Sequence, residues 1–293
     1  MIPAPVAPLP TVGAALEWAR RELAASETGP LEAQVLLKKV LRRPRTWILA
    51  HPEFPLPVPD STEYVSLIRR ARAGEPLAYL TGVQEFYGLE FEVSPDTLIP
   101  RPETELLVAQ AADWLERRFA DPAFASQPLR AVDLGTGCGC IAAALAVRHP
   151  GLRIIAADIS FPALAVAARN ARRHGVGGRV RLLRADLLSP LRGPIDLLCA
   201  NLPYAYSPNL EVSSFLRYEP HLALDGGDDG LRLVRRALEQ AASRMAGNGL
   251  ALLEIDDTHS SIARELADRF FPRAAVSVEK DLAGWNRLLV IRT

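Results

Sequence analysis

Charge of one sign is what this chain lacks: 34 basic residues are matched by 34 acidic ones over 293 residues. That balance gives no broad field to attract nucleic acid or an anionic membrane surface, so no direct nucleic-acid binding is expected. Cysteine is scarce too, with three residues, two of them in Cys138-Gly139-Cys140. Three thiols make no disulfide framework, and no second Cys pair or nearby His completes a metal site. They are expected as small packing residues in a reducing cytoplasm, with no metal. No apolar run reaches membrane-spanning length, and Met1-Ile2-Pro3-Ala4-Pro5 has neither the basic start nor the apolar core of a signal peptide. Histidines 51, 149, 174, 221 and 259 stand without Ser or Cys partners, which argues against a nucleophile–base pair and for surface or capping roles.

What the chain has is an apolar run over residues 197–200 that ends abruptly in Asn201-Leu202-Pro203-Tyr204. This tetrapeptide suits a planar NH2 group awaiting alkylation. The Asn side-chain oxygen and the next backbone carbonyl can each accept one N–H. The Tyr ring can stack on the flat face, and Pro203 keeps Leu202 extended so that its carbonyl points outward. Alone, the four residues read better as a strand followed by a Pro turn.

Upstream, Asp133-Leu134-Gly135-Thr136-Gly137-Cys138-Gly139-Cys140 leads into a small apolar stretch, the pattern of a buried strand, a Gly-rich turn and a helix start. Glycines let backbone pass close to a ligand, and a helix start offers free N–H groups to a carboxylate. Position 140 is Cys, so this is not the dinucleotide fingerprint. Two further strands end in Asp158, placed for ribose hydroxyls, and in Asp186, placed for an adenine amino group. Asp133, Asp158, Asp186 and Asn201 would form a row at the carboxyl ends of a parallel sheet, where such folds bind ligands. Any one of these acids would pass as a turn or cap residue. The four together fit S-adenosylmethionine, with S-adenosylhomocysteine as product.

Gly74-Glu75-Pro76-Leu77-Ala78-Tyr79-Leu80-Thr81-Gly82, Glu85-Phe86-Tyr87-Gly88-Leu89 and Thr97-Leu98-Ile99-Pro100-Arg101-Pro102-Glu103-Thr104-Glu105 resemble the linker of HemK/PrmC-type protein-(glutamine-N5) methyltransferases. The Gly-rich turn, the Asn-Leu-Pro-Tyr segment, Tyr218-Glu219-Pro220 and Ala223-Leu224-Asp225-Gly226-Gly227 follow in the order of that family. The resemblance covers nearly the whole chain from about residue 11. It implies a Rossmann-like class I α/β methyltransferase domain, a seven-stranded mostly parallel sheet closed by an antiparallel hairpin, behind a small N-terminal helical bundle. It implies methylation of the glutamine side-chain amide in the Gly-Gly-Gln motif of class I peptide chain release factors; a monomer is expected. It assigns the donor to Gly135, Thr136, Gly137, Cys138, Gly139, Asp158, Asp186 and Leu187, and the substrate amide to Asn201, Leu202, Pro203 and Tyr204. The family pattern is Asn-Pro-Pro-Tyr, and Leu202 departs from it. The swap releases a locked φ, about 0.4–1 kcal/mol of preorganisation, and keeps the carbonyl.

Along the chain, residues 1–10 carry four prolines and read as a loose tail. Helical patterns follow over residues 11–25 with Thr11 as N-cap, 31–41, 46–50 and 61–73, a bundle across 1–74. Residues 75–101 alternate apolar and polar with turn residues between, a β-hairpin linker expected to lie over the active site. From 102 to 293 strands and helices alternate as in βαβ units, and the chain closes with a hairpin over 274–279 and 287–291. Residues 121–128 read as a surface loop. The bundle carries no chemistry of its own, and its docking role rests on the resemblance. Arg101 is read either as functional or as an ion-pair residue. The arginines at 169, 172, 173, 179, 181 and 184 form a basic run, a solvated face or a partner contact. Asp225 to Gly230 put acids and glycines in one turn whose spacing is incomplete for calcium.

Two other functions fit the same residues. An adenine-N6 methyltransferase acting on DNA or RNA would present the same planar NH2, and Asn-Leu-Pro-Tyr is more usual in ribosomal RNA adenine dimethyltransferases. A non-catalytic donor-binding adaptor would carry Leu202 as the mark of a decayed site.

Overall fold

The computed structural model describes residues 9–122, 129–206 and 216–293. The chain divides into two compact units, Met1–Val83 and Gln84–Thr293.

The first unit is helical: α1 (Val12–Glu22), α2 (Gly29–Leu41), α3 (Arg45–Ala50), α4 (Val58–Arg72) and α5 (Leu77–Thr81). Thr11 caps α1, its hydroxyl accepting from the Ala14 N–H. The helix α2 stops at Arg42, held at φ 51°, before Pro44 ends any continuation. The α4 helix starts at Val58 rather than near 61, because Pro59 falls in the first turn, where a missing N–H costs nothing. Val12, Leu16, Ala33, Leu36, Leu37, Ile48, Tyr64 and Ile68 form the core. The tail is not loose at its end: Leu9 is buried, its N–H donates to Ser61 Oγ at 2.8 Å, and Pro10 accepts from Leu56. The start of the expected linker is also different, since residues 77–81 form α5, ended by Gly82 at φ 81°.

The hairpin follows as β1 (Val83–Phe86) and β2 (Leu89–Glu92). After α6 (Thr104–Ala120) come β3 (Ala131–Leu134), α7 (Cys140–Arg148), β4 (Ile154–Asp158), α8 (Phe161–Arg173), β5 (Val180–Arg184) and β6 (Ile195–Ala200). Then follow α9 (Arg232–Ala242), β7 (Met245–Glu254), α10 (Ser260–Phe270), β8 (Ala275–Lys280) and β9 (Asn286–Arg292). The loop expected over 121–128 falls mostly on residues outside those described.

The seven strands are ordered β5-β4-β3-β6-β7-β9-β8, parallel except for the β8–β9 hairpin against β7. Strands β3 and β6 are buried on both faces, which is why they read as continuous apolar runs. The chain winds outward from β3 through β4 to β5, then returns to place β6 on the other side of β3. The order therefore reverses between β3 and β6, and there the crevice beyond the strand ends opens. The register pairs Leu134 with Ala200 and with Ala157. The Gly-rich turn and Asn201 thus leave the sheet side by side. Helix α7 is buried from Cys140 to Ala146, its alanines allowing close approach to the sheet. On α9, Val234, Ala237, Leu238 and Ala241 face the core, while Arg235 and Arg236 do not.

Candidate active site

The turn after β3 is built on left-handed backbone: Gly135, Gly137 and Gly139 have φ of 73°, 55° and 83°. Only glycine takes such angles without strain. The Asp158 carboxylate at the end of β4 accepts from the Gly137 N–H at 2.9 Å and the Ser160 N–H at 2.8 Å. Burial raises its pKa, opposed by those N–H groups. Beside the turn lies a cavity of about 560 Å³, within the range of small-molecule sites. Of the expected donor residues, Gly135, Thr136, Gly137, Cys138, Asp158, Asp186, Leu187 and Asn201 line it. Leu187 is held at φ 52°, a strained value for leucine at a loop where backbone meets the cavity.

Two expected donor residues do not line the cavity. Asp133 is fully buried beneath the turn, where Oδ2 accepts from the Thr136 hydroxyl at 2.6 Å and the Ala142 N–H at 3.2 Å. It fastens the turn to the start of α7. Burial pushes its carboxyl up to about 7 against those two hydrogen bonds. Gly139 faces α8 instead: a Cβ there would stand 3.0 Å from Ala167 Cβ, so the glycine serves helix packing. The three cysteines are buried free thiols.

Asn201, Leu202 and Pro203 line the same cavity beside the turn. The Leu202 side chain is turned into the core at 4 % exposure, against the Cα of Gly135. The residue that departs from the family pattern thus packs closely on the glycine-rich turn. Tyr204 is not among the lining residues; its hydroxyl donates to Glu254 Oε1 at 3.1 Å, and burial raises its pKa. Glu254, at the end of β7 and 1 % exposed, also accepts from the Thr104 hydroxyl at 2.6 Å. Thr104 in turn accepts from Asn201 Nδ2 at 3.0 Å. Burial raises the Glu254 pKa, opposed first by the Thr104 and Tyr204 hydroxyls and then by the Arg287 charge.

The rim also comes from segments far apart in sequence. Asp96, Thr97, Leu98 and Pro100 lie on the cavity, as do Pro220, His221 and Leu222. Arg101 is an ion-pair residue: it pairs with the buried Glu219, which accepts from the Ile99 N–H at 3.1 Å as well. The turn over residues 225–230 braces the tetrapeptide from behind. Ala205 donates to the Leu224 carbonyl, Gly226 donates to Ala205, and a Cβ on Gly226 would meet Tyr204 Cα at 2.8 Å. His259 packs against Gly230 next to the Tyr204 carbonyl. Much of the basic run is used internally: Arg169 pairs with Glu92 at 2.7 Å, Arg173 with Glu90, and Arg179 donates to backbone carbonyls. Between them Asn170, with no exposed surface, accepts from the Glu92 N–H and donates to the Glu92 and Cys138 carbonyls. It ties the hairpin to the glycine-rich turn.

Residues 14–82 match the PrmC N-terminal domain family and residues 112–217 the methyltransferase small domain family. The release factor glutamine methyltransferase of Moorella thermoacetica is 41 % identical over 94 % of this chain and 96 % of its own length. That of Escherichia coli K12 is 39 % identical over 81 % of this chain and 84 % of its own. The chain belongs to the release factor glutamine methyltransferase family. Solved structures extend the likeness of fold alone. A Thermus thermophilus 16S rRNA N2 G1207 methyltransferase with AdoMet and guanosine has TM-score 0.51 at 15 % identity, covering 72 % of this chain and 49 % of its own. The N-terminal domain of human METTL16 with SAH has TM-score 0.50 at 14 % identity, covering 80 % and 82 %. Among this family member's described residues, no helix is long and apolar enough to cross a membrane.

Proposed function

We propose that this protein transfers a methyl group from S-adenosylmethionine to the side-chain amide nitrogen of the glutamine in the Gly-Gly-Gln motif of class I release factors. The observation that carries the reading is one cavity lined both by the glycine-rich turn at Gly135 and Gly137 and by Asn201, Leu202 and Pro203.

The donor side fits the methyl donor in its chemistry. Asp158 and Asp186 offer carboxylate acceptors for ribose hydroxyls and an adenine amino group, and the turn lets backbone approach where a Cβ would intrude. When bound, the donor supplies an electrophilic methyl on sulfonium sulfur. Asp186 shares its carboxylate with Arg236 at 2.8 Å, which holds the acid in place at the rim.

A primary amide nitrogen is a poor nucleophile because its lone pair is delocalised into the carbonyl, so this chain's task is positioning rather than deprotonation. Asn201 Oδ1 and the Leu202 carbonyl would accept the two N–H bonds of the glutamine amide. They fix the nitrogen and favour its pyramidal form. The N-terminal helical unit is assigned to docking the release factor.

The test is steady-state methylation by Asn201→Ala beside calorimetric binding of S-adenosylhomocysteine. The reading expects kcat to fall by 10²-fold or more with donor affinity within about threefold, the pattern of a lost transition-state contact. A wild-type rate refutes the role of Asn201. Salt-dependent binding of DNA or RNA, with labelling of adenine, would transfer the reading to a nucleic-acid substrate.

A further inference from the structure

The hydrogen-bond chain behind Asn201 has a direction. Thr104, at the start of α6, has one hydroxyl hydrogen, and it goes to Glu254 Oε2 at 2.6 Å. Both Glu254 oxygens stand as acceptors, Oε2 for Thr104 and Oε1 for Tyr204, so turning the Thr104 hydrogen elsewhere would leave a buried acceptor unpaired. What Thr104 still offers is a lone pair, and the group facing it at 3.0 Å must therefore be a donor. Of the two ends of the Asn201 amide, only Nδ2 qualifies, and Oδ1 is left for the cavity that Asn201 lines. The other carboxylate oxygen accepts from the Tyr204 hydroxyl at 3.1 Å, so Glu254 orients both ends of the tetrapeptide. Thr104 and Glu254 are 2 % and 1 % exposed, and of the two Thr104 also lines the cavity beside Asn201.

We propose that Thr104 and Glu254 are positioning residues that fix which way the Asn201 amide faces, so that its oxygen rather than its NH2 meets the substrate. A flipped Asn201 would set NH2 against NH2 and repel the amide it has to hold. The proposal rests on the reading of Asn201 as an acceptor for the glutamine amide. It adds that this acceptor is set by Thr104, 97 positions before Asn201, and by Glu254, 50 positions after Tyr204.

The experiment compares Thr104→Val, Thr104→Ser, Glu254→Gln and Asn201→Ala in the full-length chain. Methylation of a class I release factor and calorimetric binding of S-adenosylhomocysteine are measured for each. Valine keeps the shape and removes the hydroxyl, and glutamine keeps the shape and places a donor where only acceptors stood. Thr104→Val and Glu254→Gln are expected to lower kcat about tenfold to a hundredfold, as for loss of one buried hydrogen bond whose partner is left unpaired. KM and donor affinity should stay within about threefold, and Thr104→Ser should recover most of the rate. A wild-type kcat in Thr104→Val, a loss that serine does not recover, or an equal loss of donor affinity overturns the proposal while Asn201→Ala remains inactive. An active Asn201→Ala overturns the underlying reading instead.

Discussion

Gly135 is the point where the glycine-rich turn and the Asn201–Tyr204 loop press on each other, and Gly135→Ala measures that contact. Its φ of 73° costs a non-glycine residue roughly 1–2 kcal/mol. The added Cβ would stand 3.1 Å from Leu202 Cδ2 and 3.4 Å from the Asn201 carbonyl oxygen. Leu202 is buried, so its side chain must move by a few tenths of an ångström in a packed core, adding roughly 1 kcal/mol. The sum, about 2–3 kcal/mol, corresponds to a Tm lower by roughly 4–12 °C for a unit of this size. Leu202→Ala alone should cost about 2–4 kcal/mol by emptying the same space. The double variant should be less damaging than the sum by about 0.5–1 kcal/mol, because the smaller residue at 202 makes room for the new methyl. Urea unfolding of the four proteins gives the cycle, and calorimetry with S-adenosylhomocysteine should show weaker donor binding for Gly135→Ala. Strict additivity with unchanged donor affinity would refute the claim that the turn and the loop share this contact.

Two more consequences can be measured. Asn170→Ala removes the partner of the Glu92 N–H and of two carbonyls at once. It should destabilise the second unit by roughly 2–4 kcal/mol and speed hydrogen exchange at the Glu92 amide above that of neighbouring strand amides. Asp133, normally near 3.8, is pushed up to about 7 by burial, so the folded protein keeps a proton that the unfolded chain releases between those values. Stability should therefore fall as pH rises through that window and level off above it, by roughly 4 kcal/mol at most. Asp133→Asn, which keeps an acceptor for Thr136 and Ala142, should flatten the slope; an unchanged slope would clear Asp133 of that role.

The strand ends were the legible part of the site. Asp158, Asp186 and Asn201 reach the cavity because an acid or amide closing an apolar run in a parallel sheet must leave at the carboxyl edge. The same rule pointed to Asp133, yet its side chain turns under the glycine turn, a direction that residue order does not specify. Glu254 closes the apolar run of β7 and carried the same signal unread. Thr104 carried none beyond the linker motif. Its partner lies 150 positions away, and the pairing exists only once α6 packs beside β7. The Arg101–Glu219 pair spans 118 positions and was hidden for the same reason. In the helical unit, α5 was obscured by length: five residues between Pro76 and Gly82 show too little periodicity to separate a helical turn from a strand.

The central claim is that this cavity holds a glutamine amide. It is tested most directly by transfer of tritiated methyl from S-adenosylmethionine to a class I release factor, beside the same factor with Gly-Gly-Gln changed to Gly-Gly-Asn. The account predicts label in the first protein alone, mapped by mass spectrometry to the glutamine side chain. Equal labelling of both factors, or none in either while the donor still binds, would contradict it.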